Sequence, residues 1–75
     1  MSRFRQFVRK LRRENRLKEF AEKANTTEGY VVSHLFTPNK VPRRKLWRDL
    51  VNASNGELDD SSMIEHFINR EKESA

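Results

Sequence analysis

Apolar residues recur at the spacing of an α-helix in several short segments of this 75-residue chain, and this spacing constrains the fold more than any other feature. The segments lie at residues 4–11, 17–24, 30–35, 46–51 and 63–68. No run of residues alternates clearly with the two-residue period of a β-strand. We therefore predict an all-α domain over residues 1–70, a compact bundle of about five short helices, followed by a frayed tail at 71–75.

Residues that favour turns lie between the first three of these apolar segments. Asn15 is a reasonable N-cap for the second helix, although one unbroken helix over residues 3–24 is the main alternative. Asn25 suits the left-handed position that ends a helix, because asparagine tolerates a positive φ better than most residues. Thr27 is a good N-cap for a third helix. The chain is therefore predicted to turn sharply between its second and third helices.

The second half of the chain carries similar signals. Both prolines fall in the loop 36–42, and Pro42 fits just before or within the first turn of a fourth helix. The Asn-Gly pair at 55–56 can adopt the left-handed conformation and so end that helix. Asp59 or Asp60 is then expected to cap a last helix.

Charge is distributed unevenly along the chain. Residues 1–48 contain 14 Lys and Arg against four acidic residues, a net charge of +10. Residues 49–75 contain two Lys and Arg against seven acidic residues, a net charge of −5. A basic surface of this kind favours an anionic partner, and charge alone leaves open whether that partner is a nucleic acid or a membrane surface.

Composition also disfavours several classes of function. The chain has no cysteine, and therefore no disulfide, no thiolate zinc site and no thiol nucleophile. Its two histidines are too isolated to form a metal site, and no apolar run approaches the roughly 18 residues of a membrane span. A domain this small lacks the core that walls a substrate cleft. We therefore expect no enzyme activity, no cofactor, no metal and no small-molecule substrate.

The segment most informative about function is LKEFAEKANTTEGYVVSHL, residues 17–35. Two short helices joined by a turn of three or four residues cross steeply, which requires small residues at their contact and a permissive residue at the turn. Ala21 and Ala24 meet the first requirement, and Asn25 meets the second. This is the helix-turn-helix pattern, and we place it at about residues 16–36.

The segment VVSHLFTPNKVPRRKLWRDLVNASNGEL, which overlaps and follows it, is similar to the VSQWL…VPxxxxxxLexATGG stretch of Cro-like and YdaS-type proteins. Residues 15–58, about three-fifths of the chain, thus resemble the Cro/repressor-like helix-turn-helix DNA-binding domains of lambdoid phages. The resemblance implies a λ-repressor-like fold and a transcriptional regulator, a phage or prophage repressor, that occupies a palindromic operator as a dimer. It also implies that the protein is located in the cytoplasm of a bacterial or phage-infected cell, and that its partner is double-stranded DNA and not a membrane.

The resemblance places the third helix, residues 27–36, in the major groove with its first residues against the base edges. The candidate base contacts are Thr27, Glu28, Gly29, Val32 and Ser33. Hydroxyl groups can donate or accept hydrogen bonds, the methyl groups of Thr and Val can contact a thymine methyl group, and a carboxylate can accept from cytosine N4. Glu28 is equally interpretable as a first-turn acid favoured by the helix dipole.

Basic and polar residues from three elements are predicted to surround this helix as phosphate contacts. They are Arg16, Lys18, Tyr30, Asn39, Lys40, Arg43, Arg44 and Lys45. Those that begin the fourth helix lie where backbone N–H groups and the helix dipole also favour an anion. The basic N-terminal helix is interpreted as part of the core with auxiliary phosphate contacts, and a membrane surface or an acidic protein remains its alternative partner.

The last helix, at about residues 60–70, carries an apolar stripe wider than a small core needs. Its candidate dimer contacts are Met63, Ile64, Phe67 and Ile68. We predict a homodimer that is weak in the absence of DNA, and a monomer with part of this stripe exposed is the alternative. Other functions left open are a basic protein-interaction module (an antirepressor or an adaptor for an acidic protein), an antitoxin-type regulator and RNA binding.

Overall fold

The computed structural model describes residues 2–38 and 40–68 of the chain. Its elements in chain order are α1 (Arg3–Arg13), α2 (Leu17–Lys23), α3 (Glu28–Tyr30) continued by a π-helical turn (Val31–Leu35), α4 (Arg44–Ala53) and α5 (Asp60–Phe67). We call α3 and the π-helical turn together the third helix. No strand occurs within these ranges, so the predicted all-α bundle is confirmed. None of the described helices is long and apolar enough to cross a membrane. The tail predicted at 71–75 lies outside the described residues.

The turn between α1 and α2 corrects one prediction from the sequence. Asn15 does not cap α2, because it adopts a left-handed conformation with φ 58° directly after α1. Its N–H donates to the carbonyl oxygen of Arg12 at 3.2 Å. The N–H of Arg16 donates to the carbonyl oxygen of Leu11 at 2.8 Å, which completes a closing motif of a helix C-terminus. Arg16 is the N-cap residue of α2 and makes no side-chain capping bond. The break also excludes one unbroken helix over 3–24.

The turn between α2 and the third helix follows the sequence prediction. Asn25 is left-handed, with φ 60°, and the next N–H, of Thr26, donates to the carbonyl oxygen of Ala21 at 2.9 Å. Thr27 is the N-cap of α3, and its hydroxyl oxygen accepts the Tyr30 N–H at 3.1 Å. Both predicted roles are therefore confirmed, and they fix where the third helix begins relative to α2.

The predicted stop and start signals of the second half are also confirmed. Asn55 and Gly56 are left-handed, with φ 55° and 88°, and end α4. Asp59 caps α5 in a reciprocal arrangement: its carboxylate accepts the Ser62 N–H at 2.8 Å, and the Ser62 hydroxyl accepts the Asp59 N–H at 3.0 Å. The hydrogen bond from the Ser62 backbone lowers the pKa of the Asp59 carboxyl.

The core is formed by apolar side chains of all the helices: α1 packs against α5 and α2, and α2 packs against α4 and the third helix. The fully or nearly buried apolar side chains are Phe4, Phe7, Val8, Leu11, Leu17, Phe20, Ala21, Ala24, Val31, Leu35, Leu50, Leu58, Met63 and Phe67. Edge-to-face ring contacts join α1 to α5 through Phe4 and Phe67 at 5.2 Å, and α1 to α2 through Phe7 and Phe20 at 5.1 Å. Burial of each large side chain contributes about 1.5–3 kcal/mol, so the buried stripe of α1, with its two phenylalanines, is a substantial part of the apolar stabilisation of the bundle.

A buried histidine joins three distant parts of the chain. The Nδ1 atom of His66, in α5, lies 2.7 Å from the hydroxyl of Ser2, the N-cap of α1. Its Nε2 atom lies 2.7 Å from the carbonyl oxygen of Leu35 at the end of the third helix. A carbonyl oxygen can only accept, so Nε2 carries the hydrogen and donates it. The ring also stacks on Phe4, with centroids 4.7 Å apart. His66 therefore holds the end of the third helix against α1 and α5.

The stripe of α5 is divided between core and surface, which corrects part of the predicted dimer contacts. Met63 and Phe67 are 0% and 1% exposed and lie in the core of their own chain, so they are not available to a second one. Ile64 and Ile68 are 41% and 51% exposed. Of the four residues assigned to a dimer surface, only these two isoleucines present apolar surface.

Candidate nucleic-acid interface

The third helix presents one exposed side and one buried side. Val31 and Leu35 are fully buried and fix the helix on the core. The five residues predicted to contact bases all lie on the accessible side: four are exposed and Val32 is partly buried. This exposed side consists of small and polar groups, namely Thr27, Glu28, Gly29, Val32 and Ser33. A side of this composition allows the helix backbone to come close to another surface.

Gly29 has no structural reason to be glycine. A Cβ atom built at this position would meet no atom within 4 Å, and the residue does not have a positive φ. Glycine in a helix costs roughly 0.5–1 kcal/mol relative to alanine. Glycine therefore lowers the stability of the helix here without a gain in packing. It leaves the backbone beside Glu28 exposed and uncovered by a side chain.

The last part of the third helix is wider than an α-helix. The N–H of Phe36 donates to the carbonyl oxygen of Val31 at 2.8 Å, a bond across five residues instead of four. The sequence gives no signal for this π-helical turn. Turns of this kind occur frequently at functional sites, and here the turn includes Val32 and Ser33 of the exposed side.

Basic residues flank the third helix on the side of α4. Arg43 and Lys45 are exposed and line a cleft of about 280 Å³ together with Thr26 and Tyr30. Tyr30 itself is half-buried. Lys40, in the loop before α4, is also exposed. Arg43 and Lys45 thus lie beside the third helix, and their role as phosphate contacts stays a prediction; Asn39, from the same predicted set, lies outside the described residues.

A basic residue of α1, Arg12, flanks the other side of the third helix. A polar cleft of about 280 Å³ is lined by Arg12, Asn15, Leu17 and Glu28, so the end of α1 and the start of α2 meet the first turn of the third helix. Lys18 is exposed at the start of α2. The sequence predicts only auxiliary phosphate contacts for the basic N-terminal helix as a whole and does not single out Arg12, because the left-handed turn at Asn15 is what brings the last turn of α1 to this place.

Two of the predicted phosphate contacts differ from the rest. Arg16 is exposed but forms an ion pair with Glu14 at 3.2 Å, which partly neutralises it. Arg44 projects to the opposite side of α4 from Lys45, where it lines a groove with Trp47 and α5. The structure therefore does not bring Arg44 together with the cations beside the third helix.

Ion pairs divide the basic residues of the chain into two groups. Acidic residues of the C-terminal third pair with two of the six cations of α1: Lys10 pairs with Glu57 at 2.9 Å, and Arg3 lies 3.7 Å from Glu65. The Glu57 carboxylate, by its hydrogen bond and its charge, raises the pKa of Lys10. The cations that line the clefts beside the third helix, Arg12, Arg43 and Lys45, form no ion pair with a described residue. The same holds for Lys18 and Lys40, and for Arg44 and Arg48 in the groove on another side of α4. Uncompensated positive charge thus lies on both sides of the third helix, and a second part of it lies at that groove.

No group of three or more His, Cys, Asp or Glu residues within residues 2–38 and 40–68 is arranged to hold a metal ion. Comparisons of the chain with protein-family models, with curated proteins and with solved structures give no match. The function has to be inferred from the residues of the chain itself.

Proposed function

We propose that this protein is a sequence-specific regulator that binds double-stranded DNA with its third helix in the major groove. One observation carries the proposal: cations that form no ion pair with a described residue, Arg12 on one side and Arg43 and Lys45 on the other, flank a helix whose exposed side is small and polar. Cations on both sides match a helix that lies between two phosphate backbones, because backbone contacts fix the protein on the duplex and side chains between them read bases. The resemblance to Cro-type repressors supports the same arrangement.

The exposed side of the third helix supplies the base contacts in this proposal. Ser33 and Thr27 offer a hydroxyl and a methyl group, and Val32 offers methyl groups for a thymine. Glu28 accepts a hydrogen bond from cytosine N4, which offsets its repulsion by nearby phosphates. Gly29 adds no side chain, which lets the helix backbone approach the base edges.

The flanking cations supply the phosphate contacts. Arg12 and Lys18 face one backbone, and Arg43 and Lys45, with Lys40, face the other. Each contact releases counterions, so five contacts give a salt dependence of about −4 to −5 in log affinity against log salt for each protomer. Regulation follows from occupancy of the site and requires no chemistry.

A dimer in this proposal uses the exposed edge of α5. Ile64 and Ile68 are the exposed large apolar residues of that helix. Two side chains provide far less than the roughly 800 Å² for each partner in a stable interface. Two protomers are therefore expected to pair on adjacent half-sites about 34 Å apart on the duplex and to separate without DNA.

Selection from a random pool of double-stranded DNA, at low and at near-physiological salt, tests the proposal. We expect an enriched palindrome that survives the higher salt. Binding at low salt without an enriched motif would contradict a sequence reader.

Two variants then test the base contacts. Ser33→Ala removes a hydroxyl, and Thr27→Ser removes a methyl group while it keeps the oxygen that caps α3. Both are expected to weaken binding to the selected site by about 0.5–1.5 kcal/mol and to leave binding to random DNA unchanged. Equal losses on both DNAs would remove these residues from the set of base contacts.

A further inference from the structure

A groove lies between α4 and α5, away from the third helix. It encloses about 630 Å³, and its apolar lining comes from Pro42, Trp47, Val51 and Ile64. The indole Nε1–H of Trp47 donates to the carboxylate of Asp60 at 2.9 Å, which ties the two helices together at one wall.

Two arginines on α4 border this apolar groove. Arg44 and Arg48 are spaced by one helical turn, are both exposed and form no ion pair with a described residue. Residues four apart lie on one side of a helix, so the two guanidinium groups form a cationic rim along one edge of the groove.

No carboxylate of the described residues forms an ion pair with these arginines. Asp60 lines the groove but accepts the Trp47 indole N–H, Glu65 lies against Arg3, and Glu57 pairs with Lys10. Within the described part of the chain the cationic rim thus lacks an ion-pair partner. The complement of the groove is an apolar group flanked by negative charges.

We infer that this groove binds an acidic amphipathic helix of another protein, with large apolar side chains against Trp47 and Ile64 and carboxylates on Arg44 and Arg48. An amphipathic helix typically binds by laying its apolar side into a groove between two helices. Arginine favours carboxylates through paired N–H donors, which orients the bound helix as well as attracting it. This inference does not depend on DNA binding.

Other occupants fit the groove less well. A two-fold contact between copies centred on the groove would bring Arg44 and Arg48 of both copies together, and like charges oppose such a contact. The chain that follows Ile68, NREKESA, has no large apolar residue to place on Trp47. Since Ile64 also belongs to the exposed edge of α5, a bound partner would compete with self-pairing of that edge.

Fluorescence anisotropy with a designed probe tests the inference. The probe is a dye-labelled helical peptide of about four turns, with leucines at the i, i+3, i+4 and i+7 positions and glutamates elsewhere. The full chain is expected to bind it, and a version with lysine in place of glutamate is expected not to bind. Absence of binding by the glutamate peptide, or equal binding of both, would overturn the inference.

Two matched double variants locate the bound peptide. R44A/R48A is expected to weaken binding about tenfold, in line with the loss of two ion pairs at a partly desolvated rim. R43A/K45A removes the same charge from the other side of α4 and is expected to change binding less than about twofold. Equal effects of the two would show attraction by net charge alone and would overturn the site. All four residues are exposed, and far-UV circular dichroism checks that each variant keeps its helices.

Nuclear magnetic resonance gives an independent readout at the groove. The indole N–H resonance of Trp47 is expected to shift on addition of the peptide, because the peptide covers the bond to Asp60. A shift confined to the third helix would contradict the proposed site. R44A/R48A is also expected to leave the salt dependence of DNA binding unchanged. A wrong assignment of the groove can therefore be distinguished from a wrong assignment of DNA binding.

Discussion

Gly29→Ala distinguishes the effect of this glycine on the free energy of unfolding from its effect on the affinity for DNA. The added Cβ meets nothing within 4 Å and the backbone is not left-handed, so the substitution carries no steric cost. It removes the entropic cost of glycine in a helix, and we expect the free energy of unfolding to rise by about 0.5–1 kcal/mol. For a domain of this size each kcal/mol corresponds to roughly 4–8 °C, so Tm is expected to rise by about 2–8 °C in differential scanning calorimetry.

The second glycine of the chain provides a matched control. Gly56 also has open space around a built Cβ, but its φ of 88° is one that L side chains rarely adopt. Gly56→Ala is therefore expected to lower the free energy of unfolding by about 1–2 kcal/mol. A fall in Tm for Gly29→Ala would refute the reasoning about its surroundings.

Binding by the Gly29→Ala variant tests the other half of the argument. A methyl group on the exposed side of the third helix would keep the backbone from the base edges, so we expect weaker binding to the selected DNA site in a protein that is more stable. A rise in Tm with unchanged affinity would show that this position does not approach the DNA.

Three further predictions concern charge, the core and pH. R43A/K45A is expected to flatten the plot of log affinity for DNA against log salt by about 1.8, as measured by titrations at several salt concentrations, and an unchanged slope would contradict these phosphate contacts. His66→Ala is expected to lower the free energy of unfolding in urea by about 2–4 kcal/mol, because it leaves the Leu35 carbonyl without its donor and removes a buried ring, and a loss below about 0.5 kcal/mol would contradict this role. The lowered pKa of Asp59 means that its cap stabilises the fold above the carboxyl's unfolded pKa and that this contribution is lost as pH falls through the folded pKa. Asp59→Asn, which keeps a capping oxygen, is thus expected to have a Tm that falls less in acid than that of the natural chain, and parallel Tm profiles would refute this account.

Local chemistry accounts for what could be predicted from the sequence. Asn25, Thr27 and Asp59 were placed correctly, because their turn and cap roles depend only on neighbouring backbone groups. Asn15 was misplaced for a related reason: asparagine suits both the start of one helix and the end of another, and sequence does not decide between adjacent ends. The π-helical turn had no signal at all, because no residue type specifies it.

Side-chain direction accounts for most of what could not be predicted. In the stripe of α5, hydrophobicity does not distinguish the buried Phe67 from the exposed Ile68, since only packing against α1 sets how the helix is rotated. The same holds for the adjacent basic residues Arg44 and Lys45, which face a groove and a cleft on different sides of α4. Arg12 lies at the candidate interface because the left-handed turn at Asn15 sets how the end of α1 meets the third helix.

The hydrogen bonds of His66 connect positions that are 64 residues apart, from Ser2 to α5, and 31 residues apart, from α5 to Leu35. Chain ends usually open first in local fluctuations. Here the beginning of α1 and the end of the third helix are both bonded to the same buried imidazole, so displacement of that ring releases both. The amide hydrogens of these two regions are therefore expected to exchange with solvent together, as one cooperative unit. Local unfolding of the first turn of α1 is then coupled to local unfolding at the end of the third helix, the helix that we propose reads DNA.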